Sequence, residues 1–262
     1  MRNKLSTLLA VLISIGAAHV ARAADMAMKA PPPPQPASYN WAGWYAGGNI
    51  GYGWGVPSDP GVSFVDPGPT IGFGAYFAGG GNVTPNLKPS GVIGGGQIGY
   101  NWMLTPNWVG GLVADFQGSA MKSSASNTVT VGPTTTNQAN SENIDWFGTV
   151  RAKLGVAQNN WLLYATGGLA YGRISTSGNF VIPPGTAVNF NGSNATTNAG
   201  WTAGVGLNYG LTSNWILGVE YLYVDLGHVS HTELQPAFPA VSLTVNNHAA
   251  ANIVRASLDY KF

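Results

Sequence analysis

From Gly43 to the end of the chain, apolar side chains alternate with polar or small ones at a period of two, in eight stretches separated by breaks. The stretches span residues 43–54, 90–102, 107–118, 144–156, 160–172, 198–210, 214–226 and 250–262. A period of two sends successive side chains to opposite faces of a strand, so each stretch predicts a strand with one apolar and one polar face. The breaks alternate in length. Residues 103–106, 157–159 and 211–213 are short, whereas 55–89, 119–143, 173–197 and 227–249 are long and rich in Gly, Pro, Asn, Ser and Thr. Short turns alternating with long external loops are the pattern of an up-and-down barrel. The predicted fold is all-β: an eight-stranded antiparallel up-and-down transmembrane β-barrel over residues 43–262, with room for an extra hairpin in 55–89.

The tryptophans indicate which face meets lipid. In 43–54 the parity of Trp44 and Trp54 also carries Ala46, Gly48, Ile50 and Tyr52; in 214–226 the parity of Trp215 carries Leu217, Val219, Tyr221 and Tyr223. Trp102, Trp108, Trp146, Trp161 and Trp201 select similarly apolar faces. Together these faces are too large to pack inside eight strands, so they must point outward, where a water-soluble barrel would be polar. Trp44 and Trp54 are ten residues apart. At ~3.3 Å per residue and a tilt of ~40° that climbs roughly 25 Å, the height of an outer-membrane apolar band between its aromatic girdles. Trp41, Trp44, Trp102, Trp108, Trp161, Trp215 and Phe262 are expected at the periplasmic interface, and Trp54, Trp146, Trp201 and Tyr171 at the external one.

The opposite parity collects Asn49, Gln97, Asn101, Asp115, Gln117, Arg151, Lys153, Glu220, Arg255 and Asp259, with many glycines. Inside eight strands there is room only for side chains, and an unpaired buried charge costs several kcal/mol, so these ions should pair. Glu220 and Arg255 are expected to face each other across neighbouring strands, as are Asp115 and Arg151, with Lys153 and Asp259 completing a charged plug. Such a plug serves either as static filling or as a gate that opens on a change of partner. The inward glycines Gly95, Gly99, Gly111, Gly204, Gly206 and Gly218 are expected to leave volume for water.

Residues 1–23 change the compartment. A basic start at Arg2 and Lys4, an apolar run to Ala18 and a small-residue cleavage site at 21–23 read as a secretory signal peptide, too short to be a spanning helix. Residues 24–42 follow as a Pro-rich periplasmic spacer. Without Arg2, Lys4 and Arg22, eight of the 11 basic residues remain against 10 acidic ones, which leaves no basic patch for nucleic acid. The absence of Cys excludes disulfides and Cys-based metal sites. The Gly-rich stretches 47–53 and 72–81 do not join a strand to a helix and so are not nucleotide loops. His228, His231 and His248 fall in or beside the last long break, where they could ligate a metal or haem but are expected to be solvated. His228, Ser230 and Glu233 are the only loose candidates for a hydrolytic site, and nothing in the sequence orients them. No catalytic residue, metal or cofactor is expected.

The motifs "GWYAGGNIGYGWG", "IDWFGTVRAKLGVA", "LLYATGGLAYG", "GWTAGVGLNYGLTSNW" and the ending "VRASLDYKF" resemble the small outer-membrane β-barrel proteins of alphaproteobacteria, the outer-membrane immunogenic or porin-family proteins. The resemblance covers residues 43–262 and extends in architecture to the membrane domain of OmpA. It implies a structural, surface-exposed protein of the Gram-negative outer membrane, with pore formation or haemin binding as alternatives. The partners implied are outer-membrane lipid and lipopolysaccharide, the outer-membrane assembly machinery through the C-terminal Phe262, and peptidoglycan through the N-terminal spacer.

Overall fold

The computed structural model describes residues 39–57, 61–65, 86–131, 134–182, 188–235 and 238–262. The expected signal peptide, and the spacer up to residue 38, lie outside the described residues. Nine strands are present among them: β1 (Gly43–Gly55), β2 (Gly61–Val65), β3 (Ser90–Met103), β4 (Trp108–Val131), β5 (Thr134–Gln158), β6 (Trp161–Ile182), β7 (Val188–Gly210), β8 (Trp215–Gln235) and β9 (Phe238–Lys261). Pairing runs β1-β3-β4-β5-β6-β7-β8-β9 and closes through β9 onto β1, all antiparallel. Eight strands therefore form the ring. The ninth, β2, is the extra element in the first long break; it pairs with β9 from Gly61↔Asn246 to Val65↔Ser242.

Among the described residues, the breaks 119–143, 173–197 and 227–249 are strand, not loop. The β4–β5 ladder continues unbroken from Met121↔Ile144 to Val131↔Thr134, and β6–β7 reaches Ile182↔Val188. For these three breaks the expectation of long external loops is corrected to hairpins extended well past the lipid-facing band. Beyond that band the outer face no longer meets hydrocarbon, so it carries Ser124, Ser126, Ser177 and Asn179, and the apolar–polar contrast that betrays a membrane strand disappears. Bulges mark the transition, between Gly118 and Met121, Ile144 and Trp146, and Asp225 and His228. At the last of these Gly227 takes φ +75°, a conformation that disfavours side chains, and its N–H donates to Asp225 Oδ1 at 2.8 Å. The β7–β8 ladder has a gap between Asn191 and Trp201; there the amides of Asn194 and Asn198 donate to Ser230 and His228 carbonyls instead.

The outer wall is apolar. Trp44, Trp54, Trp102, Trp108, Trp161, Trp201 and Trp215 are all exposed on it, and Phe262 is 74% exposed. Trp146 is half-buried because Phe116 stacks on it at 5.4 Å and Tyr171 meets it edge-on at 6.2 Å. Trp41 departs from expectation. It is fully buried, packed with Val109, Ala157, Leu162, Tyr164 and Ile216 inside the short-turn end of the ring. A residue two positions before β1 thus enters the ring and closes it with an indole.

Candidate functional site in the barrel lumen

Two apolar layers bracket the lumen. The Trp41 cluster fills the short-turn end. Toward the extended end, Ile93, Met121, Ile144, Phe147, Leu222, Val224 and Ile253 of β3, β4, β5, β8 and β9 form a second buried cluster. The expectation of a wet, polar lumen is corrected on this point: the inward parity turns apolar where the strands approach the external girdle.

Between these layers lie the ions. Arg151 Nη2 donates to Asp115 Oδ2 at 2.8 Å and its Nη1 to Glu220 Oε1 at 2.7 Å. Arg255 Nη2 reaches Glu220 Oε2 at 2.6 Å and Asp115 Oδ2 at 3.0 Å, and its Nε adds a second bond to Glu220 Oε2 at 2.9 Å. Two guanidiniums and two carboxylates therefore form a neutral quartet in which each ion touches both ions of opposite sign. Thr149 donates to Asp115 Oδ2 at 2.8 Å and accepts from Arg151 Nε at 2.9 Å, and the Tyr164 hydroxyl donates to Glu220 Oε1 at 3.2 Å. Removal of four charges from water is offset only by this density of charge-assisted bonds.

Glu220 and Arg255 are direct ladder partners, as expected. Asp115 and Arg151 meet on the diagonal instead, since Thr149 is opposite Asp115 and Val113 is opposite Arg151. Lys153 and Asp259 stand outside the quartet. Lys153 donates to the Tyr45 hydroxyl at 3.0 Å and lies over the Tyr45 and Tyr164 rings, and Asp259 accepts from the Gln97 amide at 2.8 and 2.9 Å.

The glycines have a different role from the one expected. Glycine stands opposite each of five lumen ions in a ladder: Gly168 opposite Arg151, Gly206 opposite Glu220, Gly51 opposite Arg255, Gly111 opposite Lys153 and Gly47 opposite Asp259. Their missing side chains make room for neighbouring side chains rather than for water. A Cβ on Gly206 would fall 2.3 Å from Cζ of Tyr164, and one on Gly99 would fall 2.4 Å from Cζ of Tyr45. The cavity beside the quartet is consequently about 10 Å³, and that in the apolar layer above it is also about 10 Å³. Each holds about one water at most.

The three histidines do not converge. His231 is buried inside the extension, 3.3 Å from Glu233 Oε1, near Glu142, Asn140 and Asn247. His228 and His248 pair on the outer wall, rings 4.9 Å apart, and His248 Nε2 is 3.0 Å from Asp225 Oδ1. The candidate hydrolytic trio is likewise split, with Ser230 exposed and Glu233 buried. Sequence reasoning missed the buried set around Glu142 and Glu233 because it fell in stretches read as loops.

Residues 8–262 match the family of outer membrane protein beta-barrel domains. The 31 kDa outer-membrane immunogenic protein of Brucella melitensis is 36% identical over 258 residues, 96% of this chain and 98% of that protein. The 25 kDa outer-membrane immunogenic protein of Brucella abortus is 26% identical over 92% of this chain and 90% of that one. Among solved structures, the outer membrane protein OprG of Pseudomonas aeruginosa aligns with TM-score 0.43 at 13% identity, over 86% of this chain and 98% of that one. The chain is an outer-membrane protein of a Gram-negative bacterium and belongs to the family of outer membrane protein beta-barrel domains, with the alphaproteobacterial immunogenic proteins among its relatives.

Proposed function

We propose that this chain is a non-catalytic structural barrel that strengthens the envelope and presents its extended hairpins at the cell surface. The observation that carries the reading is the filled lumen. A neutral ion quartet is held between two apolar layers, and the cavities of about 10 Å³ beside it offer no wetted path to a hydrophilic solute. A porin needs such a path, and the quartet as a gate would still meet the apolar layers on either side. A haemin receptor built on His228, His231 and His248 loses support from the burial of His231. The names of the Brucella relatives, as outer-membrane immunogenic proteins, favour surface exposure.

In the same reading, Phe262 at the exposed end of β9 is the handle for the outer-membrane assembly machinery, and the Pro-rich spacer is the segment that would reach peptidoglycan. Deletion of the gene tests the proposal. The deletion strain is expected to become more sensitive to detergents, with sensitivity restored to normal by the parent chain. Unchanged detergent sensitivity together with slower uptake of small hydrophilic solutes would overturn the proposal in favour of a porin.

A further inference from the structure

The outer wall is chemically uneven around its circumference. Among the described residues, Lys88, Lys122 and Arg173 are the exposed Lys and Arg side chains; the other four are buried. All three lie on one side of the ring, just above the external girdle. Lys122 follows the β4 bulge, the Lys88 N–H donates to Ser123 beside it, and Arg173 is opposite Trp146. Arg173 leaves half of its side chain exposed, with Asp145 at 3.7 Å as the one acid at hand. On β8 and β9 the corresponding level carries Asp225, His228 and His248 and no Lys or Arg.

The chemistry on either side of these cations is ordered by height. Below them, Phe116, Trp146 and Tyr171 form a continuous aromatic shelf above the exposed Val150 and Leu169. Above them, two open grooves of about 470 and 300 Å³ meet at Ser141 and Ser177 on the wall of the extension. These grooves are lined only by Ser, Ala, Asn, Thr and Gly. Hydroxyls and amides with no charge suit sugar hydroxyls, cations suit phosphate, and the shelf suits acyl chains. The three tiers follow one another in the sequence found along a single molecule of phosphorylated, acylated sugar lipid.

We infer that the β4–β7 wall is a binding site for one phosphorylated glycolipid of the lipopolysaccharide type. Lys122 and Arg173 hold its phosphates, with Lys88 alongside, and the Ser141–Ser177 grooves seat its core sugars. This rests on the outer-membrane reading with the extended hairpins turned outward. The site gives the barrel a fixed lipid on one side, through which it would join the outer leaflet laterally.

The test is native mass spectrometry of the detergent-solubilised full chain titrated with rough lipopolysaccharide, lipid A and dephosphorylated lipid A. A cation near an anionic lipid surface contributes about a factor of five, so the double variant K122Q/R173Q is expected to bind lipopolysaccharide about 30-fold more weakly. Ser177→Trp, which fills the grooves from the surface, is expected to weaken binding of core-bearing lipopolysaccharide while leaving lipid A unchanged. Asp225→Asn, on the opposite wall, is expected to change neither. Equal affinity for phosphorylated and dephosphorylated lipid A, or equal binding by the parent and K122Q/R173Q, would overturn the inference. Because the chain has no Cys, Ser126→Cys offers a single thiol for an impermeant maleimide on intact cells. Its labelling establishes the outward orientation separately, and failure to label would overturn the orientation and the site together.

Discussion

Replacement of Glu220 by Gln removes the carboxylate that serves both arginines. In the native chain Glu220 accepts from Arg151 at 2.7 Å, from Arg255 at 2.6 and 2.9 Å, and from Tyr164 at 3.2 Å. An amide of the same size fills the space but leaves two guanidiniums sharing Asp115, with one positive charge uncompensated between apolar layers. Loss of one partner from a buried ion pair costs about 3–5 kcal/mol. For an unfolding slope of roughly 2.5 kcal/mol per molar urea, about 4 kcal/mol lowers the midpoint by about 1.5 M. Equilibrium unfolding in phospholipid vesicles, followed by tryptophan fluorescence, measures the shift. The double variant Glu220→Gln/Arg255→Gln removes one charge of each sign and leaves the Asp115–Arg151 pair at 2.8 Å. It is expected to be less destabilised than the sum of its single variants by more than about 1 kcal/mol. A midpoint lowered by less than about 0.3 M in Glu220→Gln, or strict additivity in the cycle, would refute the view that the quartet acts as one charge-balanced unit.

Trp41→Ala empties the core of the short-turn end and is expected to cost about 3–5 kcal/mol in the same unfolding experiment, whereas a merely exposed spacer residue would cost nothing measurable. Gly206→Ala forces the Tyr164 ring off its place and its bond to Glu220, with an expected loss of about 1–3 kcal/mol. Glu142 lies in the extension, above the membrane-spanning part of β5, where burial pushes its carboxyl up to about 7 despite the Asn247 hydrogen bond and nearby His231. Between its ordinary 4.5 and about 7 the folded extension therefore holds more protons than the unfolded one. Its contribution to stability is fully present below about pH 4.5 and is lost as pH rises to about 7, by about 3 kcal/mol in all. Amide hydrogen exchange in residues 134–145 should quicken across that range after correction for intrinsic rates, Glu142→Gln should flatten the trend, and a rise of protection with pH would contradict the assignment.

Much of the barrel is written in the parity of its tryptophans. One period-two rule separates Trp44 and Ile50 from Asn49, and Val219 from Glu220, because lipid and lumen impose opposite demands on alternate side chains. The Glu220–Arg255 pair was legible for the same reason, since both residues carry the inward parity and both fall near mid-height when counted from the ends of adjoining strands. The diagonal Asp115–Arg151 contact was not, because Arg and Asp reach past their ladder partners by their side-chain lengths. Above the girdle both faces of the wall tolerate polar residues, so "SSASNTVTV" and "TTTNQANSEN" lose the contrast and read as loop while folding as strand. Apolar filling near that girdle did leave a signal, in runs such as Tyr221 to Val224 where both parities are apolar. The placement of glycine opposite each of five ions was visible only once the register was known. Trp41 precedes the first periodic stretch, and nothing local distinguishes an indole that turns into the ring from one that lies on its rim.

The filled lumen is most directly tested by planar-bilayer recording of the purified full chain. The two apolar layers around a neutral quartet predict a membrane that stays electrically silent, with no stable steps at voltages that leave the barrel folded. Reproducible ohmic channels from the parent chain, reduced when Gly204 or Gly218 is enlarged, would show a continuous aqueous path through the ring and contradict the account.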